Sequence, residues 1–371
     1  MIALRTAPLV TATLLLLSAG GASAASWHAA VALPMTVEHD SNPRLDADSS
    51  GGVTRTTMVP DYNLVGTFGR DELQLGIGLH LERSSNQSIS LNREDPKLRL
   101  GWQREGETGG FGLAAKYDES SSLLSALEET GVVASDGTRK QHALSGNWRE
   151  AISERSTLAS DVQYSSIEYD GGDLTSYDDL SASFSWTYAF SERVEPFSRF
   201  ALSRYMPEDA AEAASSISYS PSAGVRLKMS ERLEGTLRAG VNRISGGQSS
   251  ASWQGGFELL YTGERFAASF DAGRSTIASG EGGFVEVNQL RSTWRYAVDE
   301  TTSAGIDASW QDNQGQAPNT MRQFAAWASR ELSPFWVTRL SLAYKQRQQD
   351  GRPDASANIL GVTLIYSHPD F

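Results

Sequence analysis

Cysteine is absent from the 371 residues of this chain, and only five histidines are present. A chain without cysteine has no disulfide framework and no thiolate ligands, so its stability must come from hydrogen bonding and burial. The sequence also lacks a P-loop and a Gly-x-Ser-x-Gly elbow between a strand and a helix. We therefore expect no enzyme, no cofactor and no metal, with a Ser–His pair assembled across strands as the open alternative.

Long apolar runs are missing beyond the first residues, and the mean hydropathy is −0.36. Residues 1–24 have the pattern of a cleavable signal peptide: Arg5, an apolar core at 9–17, and the small-residue site Ala22-Ser23-Ala24. The alternative is a membrane anchor, but a spanning helix needs about 20 apolar residues and this run is shorter. We expect one domain over residues 25–371.

Positive charge is also in deficit, because the formal net charge is −13. An acidic chain is poorly suited to a phosphate backbone, so we expect no nucleic-acid partner. The Asp and Glu residues concentrate in polar stretches rich in Gly, Ser and Asn, as solvated loops do.

What the chain does have is a series of short charged turns, each flanked by stretches in which apolar and polar residues alternate. Longer polar loops lie between one turn and the next. This order is typical of an all-β, transmembrane up-and-down antiparallel β-barrel. The turns are Gly69-Arg70-Asp71-Glu72, Ile152-Ser153-Glu154-Arg155, Phe190-Ser191-Glu192-Arg193, Met229-Ser230-Glu231-Arg232 and Thr262-Gly263-Glu264-Arg265.

The alternation is clearest at residues 71–82, where five aliphatic side chains from Leu73 to Leu81 occupy every second position. A helix would scatter these residues around its circumference, whereas a strand places them on one face. Reading the whole chain in this way predicts about 18 strands, with 16 to 20 as the accepted range. They are placed near 27–38, 56–68, 71–82, 97–103, 109–118, 138–149, 156–168, 179–190, 194–206, 214–229, 233–242, 250–262, 265–275, 284–297, 302–311, 319–330, 336–345 and 356–367.

The longest predicted loop covers residues 119–138 and follows the fifth strand. Its section from Ser120 to Glu129 contains four apolar residues at a spacing that suits one or two helical turns. We expect this loop to enter the pore and narrow it, with Glu128 and Glu129 near the permeant.

Basic side chains recur on the face opposite the apolar rows, which in a barrel is the lumen. Two interpretations stay open for them. They pair with inward acids such as Glu234, Glu258 and Asp307, or they contact a polar, acidic permeant. The candidate lumen-lining residues are Arg99, Arg226, Lys228, Arg238, Arg291, Arg295, Arg339 and Lys345.

Four stretches resemble outer-membrane β-barrel proteins associated with exopolysaccharide biosynthesis and export in Gram-negative bacteria. They are His39-Asp40-Ser41-Asn42-Pro43-Arg44-Leu45, Gly69-Arg70-Asp71-Glu72-Leu73, Asp95-Pro96-Lys97-Leu98 and Glu128-Glu129-Thr130-Gly131-Val132-Val133. The aromatic C-terminus, Phe371, resembles the assembly signal of such barrels. The resemblance implies passage of a polymer across the outer membrane, with periplasmic polysaccharide export proteins as partners.

Two functions therefore follow as expectations. The first is an outer-membrane channel that secretes an exopolysaccharide, and the alternative is a passive or substrate-specific porin for small hydrophilic solutes. The loop at residues 119–138 is the third of the longer loops and also the longest. This favours the porin, because in general porins the third extracellular loop often folds inward and constricts the pore. In either case we expect contacts with outer-membrane lipid and lipopolysaccharide, and a polar polysaccharide or small solute in the lumen.

Overall fold

The computed structural model describes residues 25–49, 51–132, 136–171, 174–209, 213–247 and 249–369. The predicted signal peptide and Phe371 lie outside these residues. The described residues contain 19 strands and one helix, α1 (Ser122–Glu129). No helix among them is long and apolar enough to cross a membrane. The strands are β1 (Ser26–Asp40), β2 (Val53–Met58), β3 (Asp61–Phe68), β4 (Asp71–Ser84), β5 (Arg93–Glu105), β6 (Gly109–Ser121), β7 (Thr138–Ser153), β8 (Ser156–Tyr169), β9 (Tyr177–Tyr188), β10 (Val194–Pro207), β11 (Ser216–Ser230), β12 (Leu233–Gly246), β13 (Ser250–Thr262), β14 (Phe266–Ser279), β15 (Gly283–Ala297), β16 (Thr302–Asn313), β17 (Asn319–Ser333), β18 (Trp336–Gln349) and β19 (Ala355–His368).

The strands form one closed antiparallel barrel, because β1 pairs with β19 on one side and with β2 and β3 on the other. β2 and β3 share a single place in the wall between β1 and β4, so the barrel has 18 strand positions. They are separated at Val59 and Pro60, and proline has no N–H to give to a ladder. Val59 N donates to Pro34 O at 3.0 Å across this break. The predicted fold class and strand count are confirmed.

Every predicted strand overlaps a strand of the structure, and most of the structural strands are longer than predicted. The largest correction concerns residues 276–283, where a loop was expected. β14 continues to Ser279 and β15 begins at Gly283, so the connection is only residues 280–282. Gly282 has a φ of 95°, a conformation in which glycine is favoured, and this permits the tight turn.

The two faces of the barrel wall differ in chemistry. On the outer face, large apolar side chains are exposed strand after strand, for example Leu113, Leu144 and Val162. Their neighbours on the inner face are Gly, Ala, Ser and charged residues. A continuous exposed apolar band of this kind needs lipid around it, so the alternation predicted from the sequence corresponds to a lipid face and a lumen face.

The two ends of the barrel also differ. At one end the strands are joined by tight turns, and we call this the turn end. At the other, the loop end, the connections are longer and include α1. Two clusters of buried apolar residues lie there, inside the barrel, and each joins chain segments from different parts of the wall. The first contains Leu45, Leu123, Leu127, Ala355 and Ala357, and the second contains Ile167, Tyr177 and Tyr205.

Adjacent residues of β7 test the assignment of the two faces. Leu144 is 59% exposed on the outer face, whereas Ser145 lines an internal cavity. We expect Leu144→Arg to lower the free energy of unfolding by about 2–4 kcal/mol if it lies near the bilayer centre, because a guanidinium would face hydrocarbon. Ser145→Arg is the matched control and should cost clearly less. Denaturant unfolding in lipid vesicles measures both, and equal losses would contradict the assignment.

Candidate functional site

The helix α1 lies inside the barrel at the loop end. Its N-cap, Ser121, accepts a hydrogen bond from Leu124 N at 3.2 Å, which begins the helix directly after β6. Leu123 and Leu127 pack in the cluster that includes Leu45 and Ala357. The apolar residues at this spacing therefore face a core inside the lumen, and the helix expected within residues 119–138 is present.

The far end of α1 contacts the wall nearly opposite its starting point. The backbone carbonyl of Glu129 accepts from Gln311 Nε2 of β16 at 2.8 Å, and that of Thr130 accepts from Asn319 Nδ2 at 3.0 Å. These amide side chains satisfy carbonyls that the last helical turn leaves unpaired. The helix thus joins the β6–β7 side to the β16–β17 side and crosses the lumen between them.

Buried ion pairs connect the N-terminal end of α1, at Ser121, to the strand β5. Arg93 is within 2.8 Å of Asp95 and 3.7 Å of Asp136, and its guanidinium also donates to Gly137 O at 2.8 Å. Asp136 accepts in turn from Ser121 Oγ at 2.9 Å. Because each charged group has partners here, the desolvation cost of burial is offset and the loop is fixed in one position.

A second element crosses the lumen from the other side. The ladder between β13 and β14 ends at Gly255 and Arg274, whereas the β14–β15 ladder continues to Ser279 and Gly283. Residues 275–287, which lie beyond the end of the β13–β14 ladder, turn into the barrel, and we call them the inner hairpin. Its last residue, Val287, stays paired with Asn313 of β16. Its side chains Ala278 and Phe284 pack on the cluster of Ile167, Tyr177 and Tyr205.

Hydrogen bonds hold the stem of the inner hairpin against the inner face of β9 and β12. Tyr177 Oη donates to Ala278 O at 3.2 Å, and Asn242 Nδ2 donates to Thr276 Oγ1 at 2.9 Å. Near its tip, Thr175 N donates to Gly280 O at 2.8 Å. The stem is therefore bonded to β9 and β12 inside the lumen.

The tip of the inner hairpin is also fixed to the β16–β17 connection. Glu281 Oε1 accepts from Asn313 Nδ2 at 3.0 Å, and its Oε2 accepts from Ala317 N at 3.2 Å. Hydrogen bonds to a charged acceptor are stronger than those between neutral groups. Together with α1, the inner hairpin narrows the loop end of the lumen.

Three cavities occupy the space along the inner wall. The first, about 580 Å³, lies beneath the inner hairpin and is rich in hydroxyl and amide groups, including Ser181, Ser220 and Gln163. The second, about 410 Å³, lies beside α1 along β15–β18. The third, about 530 Å³, lies along β3–β8 and shares Gln141 with the first. All three are lined in large part by polar side chains.

The eight basic residues predicted to line the lumen are distributed around it. Arg238 lines the first cavity, Arg291 and Lys345 line the second, and Arg99 lines the third. The strand register places Lys228 opposite Glu234 and Arg295 opposite Gly305, both on the inner face toward the turn end. The remaining two, Arg226 and Arg339, make defined contacts near the same end.

Arg226 and Arg339 differ from the expected pairing with Glu234, Glu258 and Asp307. Arg226 Nη1 lies 2.6 Å from Glu195 Oε1, because these residues are cross-strand neighbours on β10 and β11. The Arg339 guanidinium lies 4.0 Å from the centre of the Trp327 ring, a cation–π geometry. The basic residues do not form one sector, since Arg238 and Arg291 line different cavities.

Glu128 and Glu129 lie on different sides of α1. Glu128 lines the second cavity, and Glu129 lines the first, where it is 3.2 Å from Arg139. Burial raises the pKa of the Glu129 carboxyl above its usual range, with a smaller effect of Glu128 in the same direction, while Arg139 opposes the rise. Glu129 therefore takes up a proton at a higher pH than an ordinary glutamate.

Two basic lumen residues were missed in the sequence, Lys116 and Arg139, whereas the inward parity of Arg199 could be predicted from its strand. Lys116 lines the third cavity opposite Arg99, so two cations face each other there. Arg139 and Arg199 line the first cavity. Lys116 could have been predicted, because it lies three positions after the outward residue Leu113, and alternation along β6 therefore places it on the inner face. Over the described ranges, no group of three or more His, Cys, Asp or Glu residues could hold a metal ion.

Comparisons with known proteins identify the fold and leave the family open. No family model matches the sequence, and no curated protein is significantly similar to it. Among solved structures, the outer membrane protein OpdK from Pseudomonas aeruginosa has a TM-score of 0.53 at 9% identity, over 92% of this chain and 99% of that one. OccAB2 from Acinetobacter baumannii has a TM-score of 0.51 at 8% identity, over 92% and 98%. The fold is thus a closed 18-strand antiparallel barrel of the outer-membrane type.

The raised pKa of Glu129 generates a prediction for ion selectivity. As the pH falls from neutral, Glu129 is neutralised early and the first cavity becomes more positive, so permeability to anions should rise relative to cations. At neutral pH, Glu129→Gln should already have the higher anion-to-cation permeability ratio that the wild type reaches only at acid pH. Reversal potentials in a salt gradient measure this, with Glu128→Gln as the matched control. Retention of the full wild-type pH dependence in Glu129→Gln would contradict the assignment.

Proposed function

We propose that this protein is an outer-membrane channel for small hydrophilic solutes. The observation that carries the proposal is a set of polar cavities inside a barrel whose outer face is apolar. An 18-strand barrel is wide enough to enclose an aqueous path, unlike small barrels filled by side chains. The structural likeness to OpdK, itself described as an outer membrane protein, supports the location.

The interior favours small solutes over the exopolysaccharide suggested by the sequence resemblance. A secreted polymer needs a continuous path of constant width, whereas α1 and the inner hairpin narrow the loop end of this lumen, and α1 lies between the first cavity and the second. The first cavity measures about 580 Å³, a volume suited to solutes of small-molecule size. Its many hydroxyl and amide groups can replace the hydration of a polar, uncharged solute.

Uptake into vesicles tests the function directly. Protein reconstituted in liposomes should admit small sugars and amino acids and exclude a long polysaccharide, because α1 and the inner hairpin narrow the lumen. Swelling in solutions of each solute measures uptake, with protein-free liposomes as the baseline. Rates no higher than that baseline for every small solute would refute a channel, and rapid entry of the polymer would restore the export hypothesis.

Replacing residues 122–129 with a Gly-Ser linker should raise single-channel conductance severalfold, because α1 crosses the lumen at the loop end. A matched control shortens the exposed connection at 350–354, which should leave conductance unchanged. Planar-bilayer recordings measure both, and a heat-modifiable band on gels checks that the barrel is intact. Unaltered conductance in the intact linker variant would mean that α1 does not obstruct the path.

Basic residues in the second cavity should favour anions. Arg291 and Lys345 both line it, and attraction to an anion in a narrow lumen exceeds that in bulk water. Neutralising both to Gln should lower anion-over-cation selectivity while the barrel still folds. The matched control is Arg226→Gln, whose guanidinium is already paired with Glu195. Equal reversal potentials for the double variant and wild type would show that the second cavity lies off the ion path.

A further inference from the structure

The wall of the barrel parts between β13 and β14. Within the described residues, the β13 segment at 250–254 has ladder partners on β12 only, and the β14 segment at 275–279 has partners on β15 only. Glycines mark the point of separation: a Cβ on Gly273 would lie 3.0 Å from Gly255 O. This close approach of two backbones leaves little room for a side chain, and glycine at this point suits a hinge.

The two free edges match each other. Continuing the observed register beyond Gly255 and Arg274 would pair Ser252 with Ile277 and Trp253 with Thr276. In that register the first pair would face the lumen and the second the outside, as the pairs already formed below them do. Pairing of the two edges therefore requires no shift of register and no reversal of faces.

The inward position of the hairpin leaves polar groups without partners. The Tyr205 hydroxyl is fully buried in the cluster that receives Ala278 and Phe284, and it has no hydrogen-bond partner among the described residues. An unsatisfied buried hydroxyl and two unpaired strand edges cost free energy. The contacts of Asn242, Tyr177 and Glu281 with the hairpin oppose this cost, so each position of the hairpin has bonds that the other lacks.

We propose that the inner hairpin, residues 275–287, is a gate that exchanges between two hydrogen-bonded positions. In the inward position it covers the first cavity, to which it contributes Thr276, Ile277, Ala278 and Phe284. In the outward position its β14 edge joins residues 250–254 of β13, which completes the wall and uncovers that cavity. The gate rests on the proposed channel function, but the hairpin exchange itself does not depend on what the lumen conducts.

The absence of native cysteine makes disulfide locks a direct test. Ser252→Cys with Ile277→Cys should cross-link only when the hairpin is outward. Asn242→Cys with Thr276→Cys should cross-link the inward position, where the native side chains are 2.9 Å apart. The matched control is Glu258→Cys with Asp271→Cys, on the same two strands but within the ladder that is always paired.

After oxidation we expect all three pairs to form disulfides on gels. The outward lock should raise the open-state conductance and its lifetime severalfold over the reduced protein. The inward lock should lower conductance, reducing agent should reverse both effects, and the control pair should change nothing. Failure of the outward pair to cross-link, while the control pair does so, would overturn the exchange.

Two further outcomes separate the gate from the proposed function. If the outward disulfide forms but conductance equals that of the reduced protein, the gate is refuted. If the reduced protein admits no solute at all, the channel function fails, and cross-linking still decides whether the hairpin moves. A variant without cysteine adds an independent check: Gly280→Val places a side chain where a Cβ would be 2.9 Å from the Tyr169 ring, so it should shift the hairpin outward and raise conductance.

Discussion

Backbone hydrogen bonding around a closed ring of strands is the constraint on which this structure depends. Hydrocarbon offers no partner to an exposed N–H or C=O, so a sheet in a membrane has to close on itself. The ladder from β1 to β19 and back meets this condition, even at Pro60, where β2 gives way to β3 in one wall position. The separation of β13 from β14 beyond Gly255 and Arg274 is an exception to this continuous pairing, and the proposed gate depends on it.

Closure of the barrel also determines which residues face the lumen and can contact a solute. Once alternate positions face lipid, the lumen receives small and polar side chains, and elements from the loop end can fill it. α1 and the inner hairpin are both held by apolar packing and by hydrogen bonds. They differ in what the wall offers them. α1 connects β6 and β7, which already pair with each other, whereas the inner hairpin has a free edge of β13 to join, which assigns the fixed role to the helix and the moving role to the hairpin.

Much of the fold could be predicted from the sequence because period-two alternation is a local property. The strand positions and α1 follow from spacing alone, as in the row from Leu73 to Leu81. The inner hairpin could not be predicted, because leaving the wall is a tertiary event. Its trace is still visible in β14, where the polar residues Arg274 and Thr276 interrupt the outward apolar row that contains Phe266 and Phe270. Ion-pair partners such as Glu195 for Arg226 also required the register between strands, which spacing within one strand does not contain.

Hydrogen exchange of backbone amides in lipid nanodiscs tests the central claim, that the wall parts between β13 and β14 at the loop end. The account predicts rapid exchange for the amides of residues 250–254 and 275–279 that point toward the gap. Residues 255–262, which are paired with β14, should stay protected. Uniform protection along both strands would contradict the account, because it would show that the ladder continues to the loop end and that the wall has no gap.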